Sequence, residues 1–270
     1  MPEIETSNQH LKALSGLHLW HAPMSSCSQR VRIALEEADA NYSSHLVDLN
    51  KGEHASAEFQ SINPKGLVPA LVDNGRVFIE SIDIIQHVWG STDRCDDHLV
   101  LSILDLADNF QSDLKTLTFE FLFKGFPQRS TQENEAFEAS HNNEDLKQFH
   151  RNFSSGFSTR QIEAAVHQTE ASLDKLNGIL THGGDYLAGD SFTLADIAWM
   201  PNVHRLGLMG CQFGSVARLE TWFAKVGRRK SYQKGLLAWQ NDSINQAFAT
   251  YTKQRQIERT DITAFALGLD

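Results

Sequence analysis

Ser25-Ser26-Cys27-Ser28-Gln29-Arg30-Val31-Arg32-Ile33-Ala34-Leu35, set behind the run Leu17-His18-Leu19-Trp20, is the stretch whose reading decides the fold. The shorter run alternates apolar and polar residues as a half-buried strand does. The longer one opens on small polar side chains and becomes amphipathic, which predicts a helix from Ser25 or Ser26 to about Ala38. A strand feeding a polar helix start makes a place for an anion. The first-turn amides lack intrahelical partners there, and the helix dipole is positive. A serine hydroxyl at that point either caps the helix or donates a hydrogen bond to a negative guest.

Working outward, Tyr42–Leu49 alternates well enough for a second strand, so the chain begins with a strand-helix-strand unit whose strands should be parallel. A polar segment from Asn50 leads to a short helix around Ala55–Ile62, stopped by Asn63-Pro64-Lys65-Gly66. Leu67–Asp73 reads as a strand carrying Pro69, which a central ladder cannot accommodate, so an edge, a bend or a cis peptide is expected. Asn74-Gly75 suits a tight hairpin, Val77–Ile79 returns as the antiparallel partner, and Glu80-Ser81 starts a helix to about Trp89. The order is βαβαββα.

Beyond about residue 90 the alternation of strands disappears and helical periodicity takes over. The expected organisation is an extension over 1–16, an α/β domain over 17–91, and an all-α domain over 98–270, with the boundary between about 90 and 98. His98–Phe123 reads as one long helix, Thr159–Leu180 as another, and residues 125–158 as a polar, weakly periodic insertion. Thr193 and Asp196 have the spacing of a reciprocal helix cap ahead of the apolar run Ile197–Met200. The end of the chain, from Thr252, either packs over the protein or stays mobile.

Composition narrows the possibilities. An apolar share of 41% is sufficient for a real core in 270 residues. A formal net charge of -10 argues against nucleic-acid binding, which needs a basic face. Cys27, Cys95 and Cys211 are odd in number and far apart, which favours a reducing compartment over a disulfide framework. No apolar run is long enough for membrane insertion, and the start lacks a signal-peptide centre, so a cytoplasmic location is expected. The twelve histidines show no His-x-x-x-His or Cys-x-x-Cys arrangement, so no metal site is expected.

Three separated motifs together resemble the cytosolic glutathione transferases over most of the chain, from Leu17 to about Leu237. They are the Ser-Ser-Cys-x-x-Arg-Val-Arg-Ile-Ala-Leu pattern at 25–35, Val68-Pro69 followed by Glu80-Ser81, and the Thr193–Asp196 cap. The first is similar to the zeta-class signature, with Gln29 where Trp or His is usual. The resemblance implies a thioredoxin-like N-terminal domain, a helical-bundle C-terminal domain, glutathione as cosubstrate, and a homodimer.

It also implies a site. Ser25 matches the family's active serine and would donate to the glutathione thiolate, with Ser26 and Cys27 as competitors. Cys27 would support thiol–disulfide chemistry instead, but omega-type enzymes carry their cysteine at the position matching Ser25. Val68, before a cis Pro69, would offer backbone hydrogen bonds to the cysteinyl part of glutathione. Glu80 would hold the γ-glutamyl ammonium, and Ser81 the neighbouring carboxylate. The glycyl carboxylate would fall to Lys65, with Lys51, His54 and Gln60 behind it. The second substrate is expected to be a small hydrophobic, aromatic electrophile, against walls drawn from His21, Met24, Phe119, Phe123, Trp199 and His204. Aryl-ether cleavage, as in bacterial β-etherases, is the narrower form. The alternatives are a zeta-like isomerase, and a binding or regulatory protein that has lost the chemistry.

Overall fold

The computed structural model describes residues 3–89 and 97–267. Within residues 3–16, β1 (Glu3–Ile4) pairs antiparallel with a later strand, and α1 (Gln9–Lys12), capped by the Asn8 side chain, buries Leu11. Then follow β2 (Leu17–His21), α2 (Ser26–Glu37), β3 (Tyr42–Leu46), the one-turn α3 (Ala57–Gln60), β4 (Ala70–Asp73), β5 (Arg76–Ile79) and α4 (Ser81–Trp89). The sheet runs β1-β5-β4-β2-β3, with β2 parallel to β3 and every other pair antiparallel. This is the expected βαβαββα order with one strand added at an edge.

Strand alternation explains the two layers. Ala70 and Val72 face Leu11, Phe59 and Ile62, while Leu71 and Phe78 face α2 and the main core. The Val68–Pro69 peptide is cis, and Asn74 and Gly75 both take positive φ in the hairpin between β4 and β5. The expected domain boundary between about 90 and 98, and Cys95 with it, lies almost wholly outside the described residues.

The helical part begins with α5 (His98–Asn109) and α6 (Gln111–Phe121), where a single helix was expected. The break at Phe110 coincides with an intrusion on the ladder: the Ala107 carbonyl accepts from the Arg30 guanidinium (3.4 Å) and the Gln111 amide (3.3 Å). Residues 125–158 are an ordered cover. They form α7 (Thr131–Ser140), started by a Ser130–Glu133 capping box, and α8 (Glu144–Ser155), capped by Asn143. α7 buries Phe137 and α8 buries Leu146, while Phe149 and Phe153 of α8 lie against Phe119.

The bundle continues with α9 (Thr159–Gly183), α10 (Leu194–Leu208), α11 (Ala217–Val226), α12 (Lys230–Gly235) and α13 (Asp242–Glu258). At the start of α10, Asp196 is wholly buried and accepts from the Thr193 amide (2.8 Å), the Leu187 amide (3.0 Å) and the Trp222 indole (2.7 Å). After α13, Ile262 is buried and Phe265 meets Phe121.

Two buried arginines of α2 fasten the halves together. Arg30 donates to Ser81 Oγ (2.8 Å) in one half and to the Ala198 carbonyl (3.2 Å) and Ala107 carbonyl in the other. Arg32 donates to the Gly235 carbonyl (2.8 Å), His21, and the carbonyls of Ala22 and Pro23. Gly235 lies so close to α2 that a Cβ would stand 2.7 Å from the Ile33 amide nitrogen.

Candidate active site

Ser25 is the N-cap of α2, at φ -73° and ψ 120°, and its Oγ accepts from the Ser28 amide at 3.2 Å. The capping reading therefore holds, and it does not exclude the other. Accepting an N–H occupies a lone pair and leaves the hydroxyl proton free, among the described residues, for a guest. Ser26 and Cys27 are differently placed. Ser26 Oγ donates to Gln111 Oε1 at 2.9 Å, and Cys27 Sγ lies 3.4 Å from the same oxygen. Gln111 in turn donates to Asn202 Oδ1 at 2.8 Å. Both competitors are thus tied to the helical half, and Ser25 alone of the three keeps its proton unassigned.

The surroundings are cationic. Arg30 and Arg205 are buried, and Lys115 sits over the Phe149 ring with its Nζ 3.9 Å from the centroid. Burial pushes Arg205 down to about 10 and Lys115 down to about 8, and a negative charge at the Cys27 sulfur would raise both, and Arg30 with them. Arg205 Nε and Asn202 Nδ2 are buried donors without an acceptor among the described residues. A half-buried helix start ringed by unpaired donors is suited to holding an anion.

Facing it, Val68 precedes the cis Pro69, and its backbone N–H and C=O carry no hydrogen bond among the described residues. That free edge is what an extended peptide guest requires. Glu80 stands at φ +66°, in the left-handed region that non-glycine residues rarely occupy, between β5 and α4. Its carboxylate meets Lys65 Nζ at 2.6 Å. The two residues expected at opposite ends of glutathione therefore pair with each other, both half-exposed. Ser81 is buried with its Oγ accepting from Arg30.

The remaining cation candidates are placed as follows. Lys51 is exposed and paired with Asp48 at 3.3 Å. Gln60 donates to the carbonyls of Ala55 (2.6 Å) and Ser140 (2.9 Å). His54 is buried against Phe137 and His141, and desolvation holds it neutral, down at about 4. The insertion that buries it also holds two nearby loops: Asn143 donates to the Lys65 carbonyl ahead of Pro69, and Arg129 to that of Leu49 after β3.

Of the expected walls, Phe119 and Phe123 join an aromatic cluster, 5.1 Å from each other and with Phe149 and Phe153 each 4.9 Å from Phe119. Trp199 is core, wholly buried, with its indole donating to the Ile103 carbonyl. His21 is equally buried, held between Ser44 and Arg32. His204 pairs with the Tyr232 hydroxyl at 2.6 Å. Sequence reading missed Gln111, Lys115, Asn202 and Arg205. The signal available was the four-residue spacing of Gln111, Lys115 and Phe119, which puts them on one helical face beside the apolar stripe.

A thioredoxin-like sheet joined to a helical bundle over a polar helix start defines the class of protein. Comparison with known families gives the same answer. Residues 24–88 match the model of the glutathione S-transferase N-terminal domain and residues 160–230 that of the C-terminal domain. A zeta-class glutathione S-transferase of Euphorbia esula is 30% identical over 217 residues, covering 78% of this chain and 86% of its own. Glutathione S-transferase TCHQD of Arabidopsis thaliana is 26% identical over 244 residues, 81% of this chain and 88% of its own. Among solved structures, the beta-etherase LigF of Sphingobium sp. strain SYK-6 superposes with a TM-score of 0.72 at 22% identity, covering 82% of this chain and 98% of its own. A theta-class enzyme from Xanthomonas axonopodis pv. citri with glutathione bound gives 0.65 at 21%, covering 83% and 98%. The chain belongs to the glutathione S-transferase family.

Proposed function

We propose that this transferase activates glutathione through the Ser25 hydroxyl and the first-turn amides of α2, and directs the thiolate at an aromatic electrophile. The observation that carries the reading is the division of labour at 25–27: Ser26 and Cys27 both point to Gln111, while the Ser25 proton is uncommitted. A free thiol near its reference pKa of about 8.5 is mostly protonated at neutral pH. Lowering that value by about two units requires about 2.7 kcal/mol of preference for the thiolate, within reach of one hydroxyl donor and a helix terminus. Glutathione would lie along Val68 with its γ-glutamyl end at Glu80 and Ser81. Lys65, released from Glu80 by that ammonium, would serve the glycyl end.

Aryl-ether cleavage is the narrower reading, favoured by the fold likeness to LigF and by the aromatic mouth around Phe119. In it the thiolate attacks the carbon bearing the aryloxy group. A C–S bond forms, the C–O bond breaks, and the aryl oxide leaves to take a proton from solvent. A homodimer in the cytoplasm is the expected setting. Among the described residues no helix is long and apolar enough to cross a membrane. Calorimetry with glutathione, followed by turnover of aryl halides, aryl ethers and unsaturated acids, tests the reading. Saturable glutathione binding with conjugation supports it; binding without turnover of any electrophile would favour the non-catalytic alternative.

A further inference from the structure

The face of α6 that Gln111 presents to Ser26 and Cys27 continues, one turn on, with Lys115 and, one turn further, with Phe119. Opposite stand Phe149 and His150 of α8. The result is an aromatic, half-buried face that starts where Gln111 meets Ser26 and Cys27 and carries one ammonium part-way along. That ammonium is poorly compensated. Its Nζ lies on the Phe149 ring, and among the described residues no hydrogen-bond acceptor or carboxylate meets it. Asp113, two residues back, is on another side of the helix.

Of the titratable groups around Lys115, Cys27 is the one that could bring a negative charge, and its thiol is turned to Gln111 Oε1. His54, His141 and His150 all lie within its field, and burial holds each of them neutral. Arg129 adds a second positive charge, with its guanidinium stacked on Phe137 and its buried Nη1 lacking an acceptor among the described residues. A ring face offsets only part of the desolvation of an ammonium. A half-buried cation on a ring face, with no anion against it among the described residues, is one whose partner can arrive with a ligand.

We propose that Lys115 recognises an anionic group on the aromatic second substrate, so that the enzyme takes acidic aromatic electrophiles, carboxylates or phenolates, in preference to neutral ones. The inference rests on the transferase reading above and gives its electrophile a charge. The ring of the substrate would lie against Phe119 and Phe149, its anionic substituent on the Lys115 ammonium, and its reacting carbon toward Ser25.

A matched pair tests this: 4-fluoro-3-nitrobenzoate and its methyl ester, which present the same leaving group with and without the charge. In Lys115→Met, kcat/KM for the acid should fall at least about tenfold relative to that for the ester. Lys115→Arg should restore most of the loss. Equal losses on acid and ester would overturn the proposal. So would a loss confined to the glutathione KM, which would place the ammonium on the cosubstrate's own carboxylate. Calorimetric binding of 3-nitrobenzoate, which has no leaving group, answers the question even without turnover. Binding weakened at least about tenfold by Lys115→Met supports the site, and binding indifferent to the substitution removes it. A failure of the transferase reading would show separately, as an absence of glutathione binding.

Discussion

His21, His54, His150 and His204 are held neutral inside the protein, the first three in the N-terminal half and its cover and the last beside Tyr232. Desolvation pushes them down from 6.5 to about 3, about 4, about 3 and about 3. A group whose folded value is depressed contributes stability that is full above the unfolded value and is lost as the pH falls below it, because the unfolded chain then binds the proton first. The window therefore opens at 6.5 and continues downward. At about pH 5.5 each such histidine favours the unfolded state by about 1.4 kcal/mol, and the result hardly depends on the folded values, which all lie well below that pH. Counting His21 and His54 in full and the part-exposed His150 and His204 at half gives about 4 kcal/mol, out of a total stability typically of about 5–15 kcal/mol. Asp83, Asp113 and Asp196, raised by burial, act in the opposite sense, their penalty being relieved as the pH falls through folded values above 3.8. Urea unfolding at fixed protein concentration, at about pH 7.5 and about pH 5.5, should show that loss. His150→Phe, which keeps the ring contacts with Phe119 and Phe137, should shrink it by up to about 1 kcal/mol. A difference below about 1 kcal/mol between the two pH values would refute the reasoning.

Three further perturbations probe other parts of the account. Asp196→Ala leaves the buried donors of Leu187, Thr193 and Trp222 without an acceptor and should remove about 3–5 kcal/mol of stability in the same unfolding assay; a loss under about 1 kcal/mol would count against the cap's role. Gly235→Ala places a methyl 2.7 Å from the Ile33 nitrogen and 2.9 Å from the Arg32 carbonyl carbon, both backbone, and should destabilise by about 1–3 kcal/mol through forced separation of α12 from α2. Glu80→Gln should weaken glutathione binding about 10- to 100-fold by calorimetry, the worth of a charge-assisted hydrogen bond to the γ-glutamyl ammonium, while unchanged affinity would move that end of the ligand elsewhere.

The first domain was readable because its elements announce themselves locally: alternation in Leu17–Trp20, the Asn74-Gly75 turn, and the serines opening α2. The added strand at Glu3–Ile4 was not, since two residues carry no period and their pairing with β5 depends on chain far away. The break at Phe110 was equally hidden. Apolar spacing runs straight through it, and the intruding group, Arg30, comes from α2. The site divides in the same way. Val68-Pro69 and Glu80-Ser81, whose roles are proposed, are contiguous motifs and so visible in the sequence. The Lys65–Glu80 pair, the tether from Ser26 and Cys27 to Gln111, and the burial of His54 under α7 are all contacts between distant segments. Trp199 and His21 illustrate the limit most plainly: a ring suited to a pocket wall is also suited to a core, and the packing of α10 and β2 put both inside.

The central claim is that Ser25, and not Ser26 or Cys27, holds the thiolate. The measurement that bears on it most directly is the pKa of enzyme-bound glutathione, followed by thiolate absorbance across a pH titration in the unaltered protein, Ser25→Ala and Cys27→Ala. The account predicts a bound thiol about two units below its reference value, restored upward by more than about one unit in Ser25→Ala and unmoved in Cys27→Ala. A bound thiol unchanged in Ser25→Ala, with turnover abolished in Cys27→Ala, would contradict it.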